Sequence, residues 1–396
     1  MQNNMKKIIS LVLICATSSL MALGAEHAYL YKDPRIMGMG GANIAVGGYS
    51  TSIFSNPAGL AKLDKKNGMI VDIFGLGAST SSKTLSFISD INNIQTDANI
   101  NPNATNDMIA LLSKYSGKYF HVNIDNYTSV SNNGDDFAWS IGLLSNADVN
   151  YMVHANGGAS FLETTTRVYG GVVLGGAKKY TTEIGDLDIG LGLKYIKQTS
   201  VEGGLTINDL LNNGDLAKYL QDKYKKDSSG FGLDIGAILS PFKESYWHPS
   251  VGLSILNIGS MGMDNNYGAQ PMTVNIGASV SPEVPVIESL TLAVDYVDMF
   301  NANKVRFYDI NGKIASDLSE SDFMKRLRLG VGIGLINSTF FSMKLNGGFY
   351  QSAYTAGIDL EVAIFKISLA TYQEEVGTAG ASNTDRRYMA KLGFGW

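Results

Sequence analysis

The chain has 396 residues, of which 45% are hydrophobic and only 17% are charged, and its formal net charge is −5. This apolar content with so little net charge excludes an intrinsically disordered chain, and the negative charge argues against a nucleic-acid-binding protein, which needs a basic surface. Glycine (44 residues) and tyrosine (20 residues) are abundant while charges are few. This combination suggests a membrane β-barrel.

Residues 1–24 have the layout of a secretory signal peptide. Lys6 and Lys7 precede an apolar stretch at residues 8–23, and small residues follow it. A basic start, a short apolar core and small residues at the cleavage point are typical of such peptides, whereas a membrane-spanning helix needs a longer apolar run. Cys15 is the only cysteine and lies in this segment. The mature chain is therefore expected to be exported and to lack disulfides and thiolate metal sites.

Residues 25–67 lack a clean alternation of polar and apolar side chains and are predicted to form a hatch, a compact segment inside the lumen of a barrel. Its glycines indicate positive φ angles or close backbone approach, and a dinucleotide-binding loop is not expected because Asn43 occupies the third glycine position. The candidate hatch residues are Gly38, Gly40, Gly41, Asn56, Pro57 and Ala58.

Asn56 is the hatch residue with the most specific expected role. Since Pro57 restricts Asn56 to extended conformations, the Asn56 side chain is expected to accept a hydrogen bond from the backbone two residues on. Such a turn would anchor the hatch against the barrel wall.

Apolar and polar residues alternate through residues 68–396, which are predicted to form the barrel. The clearest segment, residues 326–335, places Leu329 and Val331 on one face and Arg328 with several glycines on the other. Successive side chains of a strand point to opposite faces, so each segment has one apolar and one polar wall. Fourteen strands are predicted, at residues 69–80, 119–130, 136–150, 163–178, 186–201, 229–241, 249–260, 271–282, 289–299, 324–336, 339–350, 353–361, 365–374 and 386–396.

The connections between these strands distinguish a barrel from a soluble β-sandwich, which would show the same alternation. Connections after even-numbered strands are tight turns, whereas all the long connections follow odd-numbered strands, at residues 81–118, 202–228, 300–323 and 375–385. Short turns at one end and longer loops at the other are a property of outer-membrane barrels. The predicted fold is therefore all-β: a 14-stranded antiparallel transmembrane β-barrel with an N-terminal hatch and helical extracellular loops.

Two of the long loops carry apolar residues at helical spacing. One interpretation is that these helices pack on each other above the barrel. The other is that they form an apolar groove that collects hydrophobic ligands at the cell surface. The residues of this candidate surface groove are Leu111, Leu112, Tyr115, Leu216, Tyr219 and Leu220.

Charged residues on the polar faces of the strands are predicted to point into the lumen. They could form a structural network of salt bridges that holds the hatch, or a polar conduit for a charged solute. The predicted lumen charges are Asp188, Asp295, Arg326, Arg328, Lys344, Asp359, Glu361 and Arg387.

Motifs that carry chemistry are missing from the sequence. The four histidines are isolated, and neither an HExxH nor a GxSxG motif occurs. We therefore expect no metal, no cofactor and no enzymatic activity, although neighbouring strands could still assemble a catalytic triad, because a triad needs geometry and not sequence spacing.

The Met-Gly-Met-Gly-Gly-Ala stretch at residues 37–42 and the Asn-Pro-Ala-Gly-Leu stretch at residues 56–60 resemble the N-terminal region of the FadL/TodX-like outer-membrane transport superfamily. The helical sequence at residues 84–115 makes the conjugal-transfer TraF-like branch the most similar. The resemblance implies a 14-stranded barrel with an N-terminal hatch in its lumen, and the uptake of fatty acids, aromatic hydrocarbons or other hydrophobic molecules.

The expected function is passive uptake of hydrophobic small molecules across a bacterial outer membrane. The alternative is a structural or assembly component of a conjugation or secretion system. A transporter needs a continuous apolar path, whereas an assembly protein needs a rim or loop surface that binds a partner. The expected partners are outer-membrane lipid, a hydrophobic small molecule and, for the alternative, a periplasmic or secretion-apparatus protein, with no nucleic acid.

Overall fold

The structure is a computed structural model that describes residues 29–65, 68–98, 104–134, 137–153, 162–205, 209, 216–242, 244–262, 270–308, 314–319, 322–338, 340–377 and 382–395. The predicted signal peptide, residues 1–24, lies outside these residues. None of the helices in the described ranges combines the length and the apolar character that a membrane crossing requires.

Fourteen antiparallel strands form a closed barrel, as predicted, and β1 pairs with β16 to close it. A two-stranded hairpin, β10 and β11, lies outside the barrel between β9 and β12 and was not predicted. In chain order the strands are β1 (Met69–Ser81), β2 (Tyr119–Asn133), β3 (Ala138–Val153), β4 (Leu162–Thr181), β5 (Gly185–Leu205), β6 (Lys225–Pro241), β7 (Ser250–Ile258), β8 (Thr273–Val280), β9 (Ser289–Tyr296), β10 (Lys304–Tyr308), β11 (Ile314–Ser319), β12 (Leu327–Asn337), β13 (Phe341–Tyr350), β14 (Ala353–Val362), β15 (Phe365–Glu375) and β16 (Thr384–Gly395).

The outer face of the barrel is apolar and its inner face is polar and glycine-rich. Leu191 and Leu193 on β5 are more than half exposed, while Lys194 beside them is buried in the lumen. On β12, Leu329 is exposed and Arg328 is buried, which is the orientation predicted from the alternation. A closed sheet satisfies its backbone hydrogen bonds internally, so this apolar outer face suits a hydrocarbon environment.

The two ends of the barrel have different connections. The turns after even-numbered barrel strands, counted in the closed order, are short, and the helical loops lie at the other end, above β1, β2 and β5. The loop helices are α2 (Ser82–Ala98), α3 (Ala104–Lys114) and α4 (Leu216–Tyr224), which follow a first short helix, α1 (Pro34–Gly38), in the N-terminal segment. This sorting of loops agrees with the prediction.

The N-terminal segment, residues 29–65, is packed inside the barrel and is called the hatch below. It contains α1 and two 3-10 helices, Ser50–Phe54 and Pro57–Lys62. Helix α1 contacts β13, β14, β15 and β16, and the second 3-10 helix contacts β2 to β6. Since these strands lie on opposite sides of the barrel, the hatch spans the lumen.

Candidate functional site

Asn56 joins two parts of the hatch to the barrel wall. Its side chain is fully buried, and Oδ1 accepts a hydrogen bond from the backbone N–H of Ala58 at 3.1 Å, the turn that the sequence predicted. Nδ2 donates to the carbonyl of Ile44 at 2.7 Å and approaches the carbonyls of Ala237 on β6 and Leu253 on β7 at 3.3 Å. One amide group therefore connects the hatch to two neighbouring strands.

Glycines in the wall allow the hatch backbone to approach closely. A Cβ atom at Gly236 on β6 would overlap the Asn56 Oδ1, and a Cβ at Gly252 on β7 would overlap the carbonyl of Ile44. A larger residue at either position would push the hatch away from the strand, so this side of the lumen is closely packed.

The predicted glycine motif of the hatch lies against β13 and β14. Gly40 and Gly41 have φ angles of +66° and +78°, a region that favours glycine. The backbone N–H of Gly40 donates to Thr355 Oγ1 at 3.0 Å, and that hydroxyl donates to the carbonyl of Gly38 at 2.6 Å. Gly38 itself packs against Gly357. Pro57 is the first residue of its 3-10 helix, where a missing N–H is tolerated.

The predicted lumen charges are buried or half-buried inside the barrel, but they do not form one network. Asp295 on β9 bonds to the hatch backbone: its Oδ2 accepts the N–H groups of Asn43 at 2.6 Å and Ile44 at 2.8 Å. Asp188 on β5 lies 3.8 Å from Lys179 Nζ. The two carboxylates therefore have different partners: Asp295 binds hatch backbone, and Asp188 lies near Lys179 on the wall.

All four predicted basic residues lie near aromatic rings, and Arg387 is 5.5 Å from the ring centre of Tyr119. The Arg328 guanidinium lies 4.0 Å from the ring centre of Tyr350, and that of Arg326 lies 5.4 Å from Tyr296. Lys344 Nζ lies 5.7 Å from the ring centre of the hatch residue Tyr49. A cation over an aromatic face is attracted by the ring quadrupole, so these residues have partners that a charge pattern does not reveal.

Arg387 is the centre of an ion-pair cluster at the upper, long-loop end of the lumen. Its guanidinium contacts Glu374 on β15, and Nε donates to Asp385 at 2.9 Å. Glu374 also accepts from the hatch residue Lys32 at 3.1 Å. Glu374 was not among the predicted site residues, although it lies on the buried face of β15, which the alternation could have identified.

The two remaining predicted carboxylates lie at the lower end, near the tight turns. Asp359 on β14 accepts from Asn346 Nδ2 at 2.5 Å, and Glu361 lines a small cavity with Lys366 and Asp72. Lys366 Nζ lies 2.7 Å from Asp72 Oδ1. This cluster is separate from the one around Arg387.

The ion pair of Asp33 and Arg35 in the hatch was missed by the sequence reasoning. Arg35 Nη2 lies 2.7 Å from Asp33 Oδ2, which also accepts from Thr51 Oγ1 at 2.7 Å. Burial raises the pKa of Asp33, but the positive charges of Arg35 and Lys391 outweigh it and hold the pKa below its usual range. The spacing Asp-Pro-Arg at the start of a helix is a capping signal, and it could have identified Asp33.

The described residues of the predicted surface groove lie in two different places. Leu111 of α3 and Tyr115, the residue after this helix, are buried, and Tyr115 packs edge-on against Phe87 of α2 at 5.1 Å. Leu112 is half-buried. Helix α4 packs on β5 and β6, where Leu220 is buried. Tyr219 is half-buried and donates to Asp209, and the Leu216 side chain lies outside the description. Helix α3 thus packs on α2, whereas α4 covers β5 and β6.

Among the described residues, no group of three or more His, Cys, Asp or Glu side chains is placed to hold a metal ion. Titratable groups do converge at the upper end of the lumen, where His121 Nδ1 lies 2.7 Å from Asn150 Oδ1 and 3.4 Å from Asp148 Oδ1. His121 Nε2 lies 2.8 Å from Ser79 Oγ.

The barrel is similar to solved structures of hydrocarbon channels. The toluene transporter TodX of Pseudomonas putida has a TM-score of 0.53 at 10% identity, over 94% of this chain and 99% of that chain. A deltaS2 mutant of the TodX monoaromatic hydrocarbon channel has a TM-score of 0.54 at 11% identity, over 92% and 98%. The toluene transporter TbuX of Ralstonia pickettii has a TM-score of 0.50 at 10% identity, over 92% and 98%.

Neither a protein-family model nor a curated protein matches the sequence. The structural comparisons support the FadL/TodX-like resemblance at the level of the fold and do not confirm the narrower TraF-like branch. The chain has the closed 14-stranded barrel fold of these hydrocarbon channels.

Proposed function

We propose that the protein is a bacterial outer-membrane channel for the passive uptake of small hydrophobic molecules, exported with a cleaved signal peptide. The closed barrel with an apolar outer face supports the membrane location. Its structural neighbours are named as toluene and monoaromatic hydrocarbon channels, which supports the ligand class. The proposal needs no cofactor, no energy source and no catalytic step.

The observation that carries the proposal is a cavity of ≈ 30 Å³ between the hatch and β12 and β13. Six of its twelve lining residues are aromatic or apolar, and the others include the charged Lys32, Asp33 and Arg328. The hatch rings Tyr31 and Phe54 pack with their centres 5.3 Å apart. This space holds about two water molecules, so the hatch must move before a hydrocarbon passes. The apolar lining consists of Tyr29, Tyr31, Ile36, Met37, Phe54 and Tyr350.

The test is uptake of radiolabelled toluene and of a labelled long-chain fatty acid by cells that carry the protein or lack it. Ile36→Trp places a large ring in the apolar cavity, and we expect uptake of at least one probe to fall several-fold. Ile36→Val is the matched control, because it keeps the cavity apolar and open. Abundance in the outer membrane is measured for each strain.

Uptake by cells with the wild-type protein that equals uptake by cells without it would overturn the proposal. Equal uptake by the Ile36→Trp and Ile36→Val variants would place the apolar path elsewhere and would remove the cavity as its support. The alternative function, a structural component of a conjugation or secretion system, is not supported by the comparisons.

A further inference from the structure

A serine, a histidine and an asparagine on three neighbouring strands form one hydrogen-bonded row in the upper lumen. Ser79 lies on β1, His121 on β2 and Asn150 on β3. Ser79 Oγ is 2.8 Å from His121 Nε2, and His121 Nδ1 is 2.7 Å from Asn150 Oδ1. All three side chains are buried. A nucleophile, a base and a group that orients the base occur in this order in serine hydrolases, whatever their fold.

The partners of Asn150 determine where the hydrogen of the neutral histidine lies. Asn150 Nδ2 is 3.0 Å from Asp148 Oδ2 and 3.4 Å from the carbonyl of Thr165, so its NH₂ group faces two acceptors and its Oδ1 faces the ring. Since an amide oxygen only accepts, His121 Nδ1 must carry the hydrogen. His121 Nε2 then has a free lone pair, to which the Ser79 hydroxyl donates. The serine is thus bonded to a group that can take its proton.

Asp148 supplies the negative charge that a protonated histidine needs. Its Oδ1 lies 3.4 Å from His121 Nδ1, beside the amide oxygen of Asn150. A carboxylate next to the ring stabilises the imidazolium that forms when Nε2 takes a proton. Because Asn150 Nδ2 donates to the same carboxylate, the amide fixes the positions of both the ring and Asp148.

The row faces a cavity of ≈ 60 Å³ at the long-loop end of the lumen. Ser79, His121 and Asp148 line this cavity, and its lining also includes the hatch residues Tyr29 and Lys32. The volume is room for about four water molecules. A substrate that reaches Ser79 without movement of the hatch must therefore be small.

Two buried arginines flank the row and line the same cavity. Arg387 on β16 pairs with Ser81, two residues along β1 from Ser79, and Arg167 on β4 pairs with Asp148. Arg387 Nη2 and Arg167 Nη1 have no hydrogen-bond partner among the described residues, although buried polar groups are almost always hydrogen-bonded. Because Arg387 lies on the strand next to Ser79, its donor suits an oxyanion that forms beside the serine.

We propose that Ser79, His121 and Asn150 form a serine hydrolase site for small carboxylic esters, an activity that does not depend on the proposed uptake. Ser79 Oγ bonds to the ester carbonyl carbon while His121 Nε2 takes the hydroxyl proton, and Arg387 Nη2 donates to the oxyanion. The alcohol leaves with that proton, and an acyl ester remains on Ser79. Water that gives a proton to His121 then attacks the acyl ester, which releases the carboxylic acid and restores the serine.

The first test is covalent labelling of the folded protein in detergent with methanesulfonyl fluoride, a reagent that matches the small cavity. We expect the wild type to be modified at Ser79, as identified by mass spectrometry of the peptide. His121→Gln keeps a polar side chain but removes the base, and it should slow this labelling by about 100-fold or more. Ser131→Ala is the matched control, because Ser131 is a buried lumen serine bonded to Ser140 at 2.8 Å and not to a histidine. Its labelling at Ser79 should equal that of the wild type.

The second test measures hydrolysis of vinyl acetate from the acetaldehyde that it releases. Ser79→Ala should reduce the rate to that of buffer alone, and Ser131→Ala should leave it unchanged. Asn150 positions the ring and is not among the residues that line the cavity. Asn150→Ala should therefore lower kcat at least several-fold with little change in KM. Folding of each variant is checked by heat-modifiable migration on gels.

A folded wild type that is neither labelled at Ser79 nor active on vinyl acetate would overturn the proposal, and this result depends on no variant. Labelling or hydrolysis that is unchanged in His121→Gln would overturn it as well, because the serine would then not need the base. A raised KM with unchanged kcat in Asn150→Ala would overturn the positioning role of Asn150. Neither test measures hydrophobic uptake, so failure of this activity and failure of the proposed function can be told apart.

Discussion

Asp295 Oδ2 on β9 accepts the backbone N–H of Asn43 in the hatch at 2.6 Å. A carboxylate of the wall is thus bonded to hatch backbone and not to a basic side chain, and the next N–H, that of Ile44, donates to the same oxygen at 2.8 Å. This contact holds the hatch at a point where its sequence carries no charge.

Asp295→Ala should loosen the hatch and leave the barrel intact. Hydrogen bonds to charged groups contribute about 1.5–3 kcal/mol each, so the loss of two such bonds should make hatch release easier by roughly 3–6 kcal/mol. The measurement is the urea concentration at which trypsin cleaves the hatch in protein reconstituted in vesicles. Asp295→Asn keeps an acceptor oxygen and should show a smaller effect. Equal resistance of Asp295→Ala and wild type would contradict the prediction.

Asn56→Ala should permit barrel insertion but weaken the hatch, because it removes both the turn to Ala58 and the contacts to Ile44, Ala237 and Leu253. The expected result is increased leakage of small solutes or altered uptake of a hydrophobic probe at equal outer-membrane abundance. If the variant fails to assemble, Asn56 is a folding element and its transport role is wrong. Unchanged leakage and uptake would favour the assembly-protein alternative.

Val331→Arg tests the orientation of β12. Val331 lies on the outer face beside exposed Leu329, and an arginine facing lipid near the midplane costs about 2–4 kcal/mol. Gly332→Arg should be harmful for a different reason, since even a Cβ at Gly332 would lie 3.0 Å from Met39 Sδ in the hatch. Refolding stability in vesicles measures both, and cysteine labelling from the lipid phase that reaches residue 332 instead of 331 would contradict the assignment.

Lys62 should make hatch docking depend on pH. Burial lowers the pKa of Lys62 to about 8 from 10.5, with Asp188 opposing and Lys179 adding to the shift. The unfolded hatch therefore binds more protons than the docked hatch between pH 8 and pH 10.5, and the free energy of docking should become more favourable as the pH rises through this range. This pH dependence is measured by the trypsin resistance of the hatch in reconstituted protein at several pH values.

Lys62→Met is the control for this pH dependence. It removes the titrating group and keeps a side chain of similar length, so the slope between pH 8 and pH 10.5 should disappear. A slope that persists in Lys62→Met would assign the effect to another group.

The barrel strands could be predicted from the sequence because alternation is a local property with a period of two residues. Arg328 and Leu329 are assigned to opposite faces by their neighbours alone, and the structure confirms the assignment. The turn at Asn56 could be predicted for the same reason, since Pro57 and Ala58 follow directly. The short hairpin β10–β11 was missed because it is separate from the barrel and its strands have only five and six residues.

The partners of the lumen charges depend on the tertiary structure. Asp33 and Lys391 lie near opposite ends of the chain and meet because β16 closes the barrel against β1 while the hatch enters the lumen. The positions of the loop helices also depend on the tertiary structure, because α3 packs on α2 while α4 packs on β5 and β6. Alternation along the chain determined which residues face the lumen, whereas strand closure and the path of the hatch decided which of them touch, because contacts between distant segments depend on register and packing that no local pattern contains.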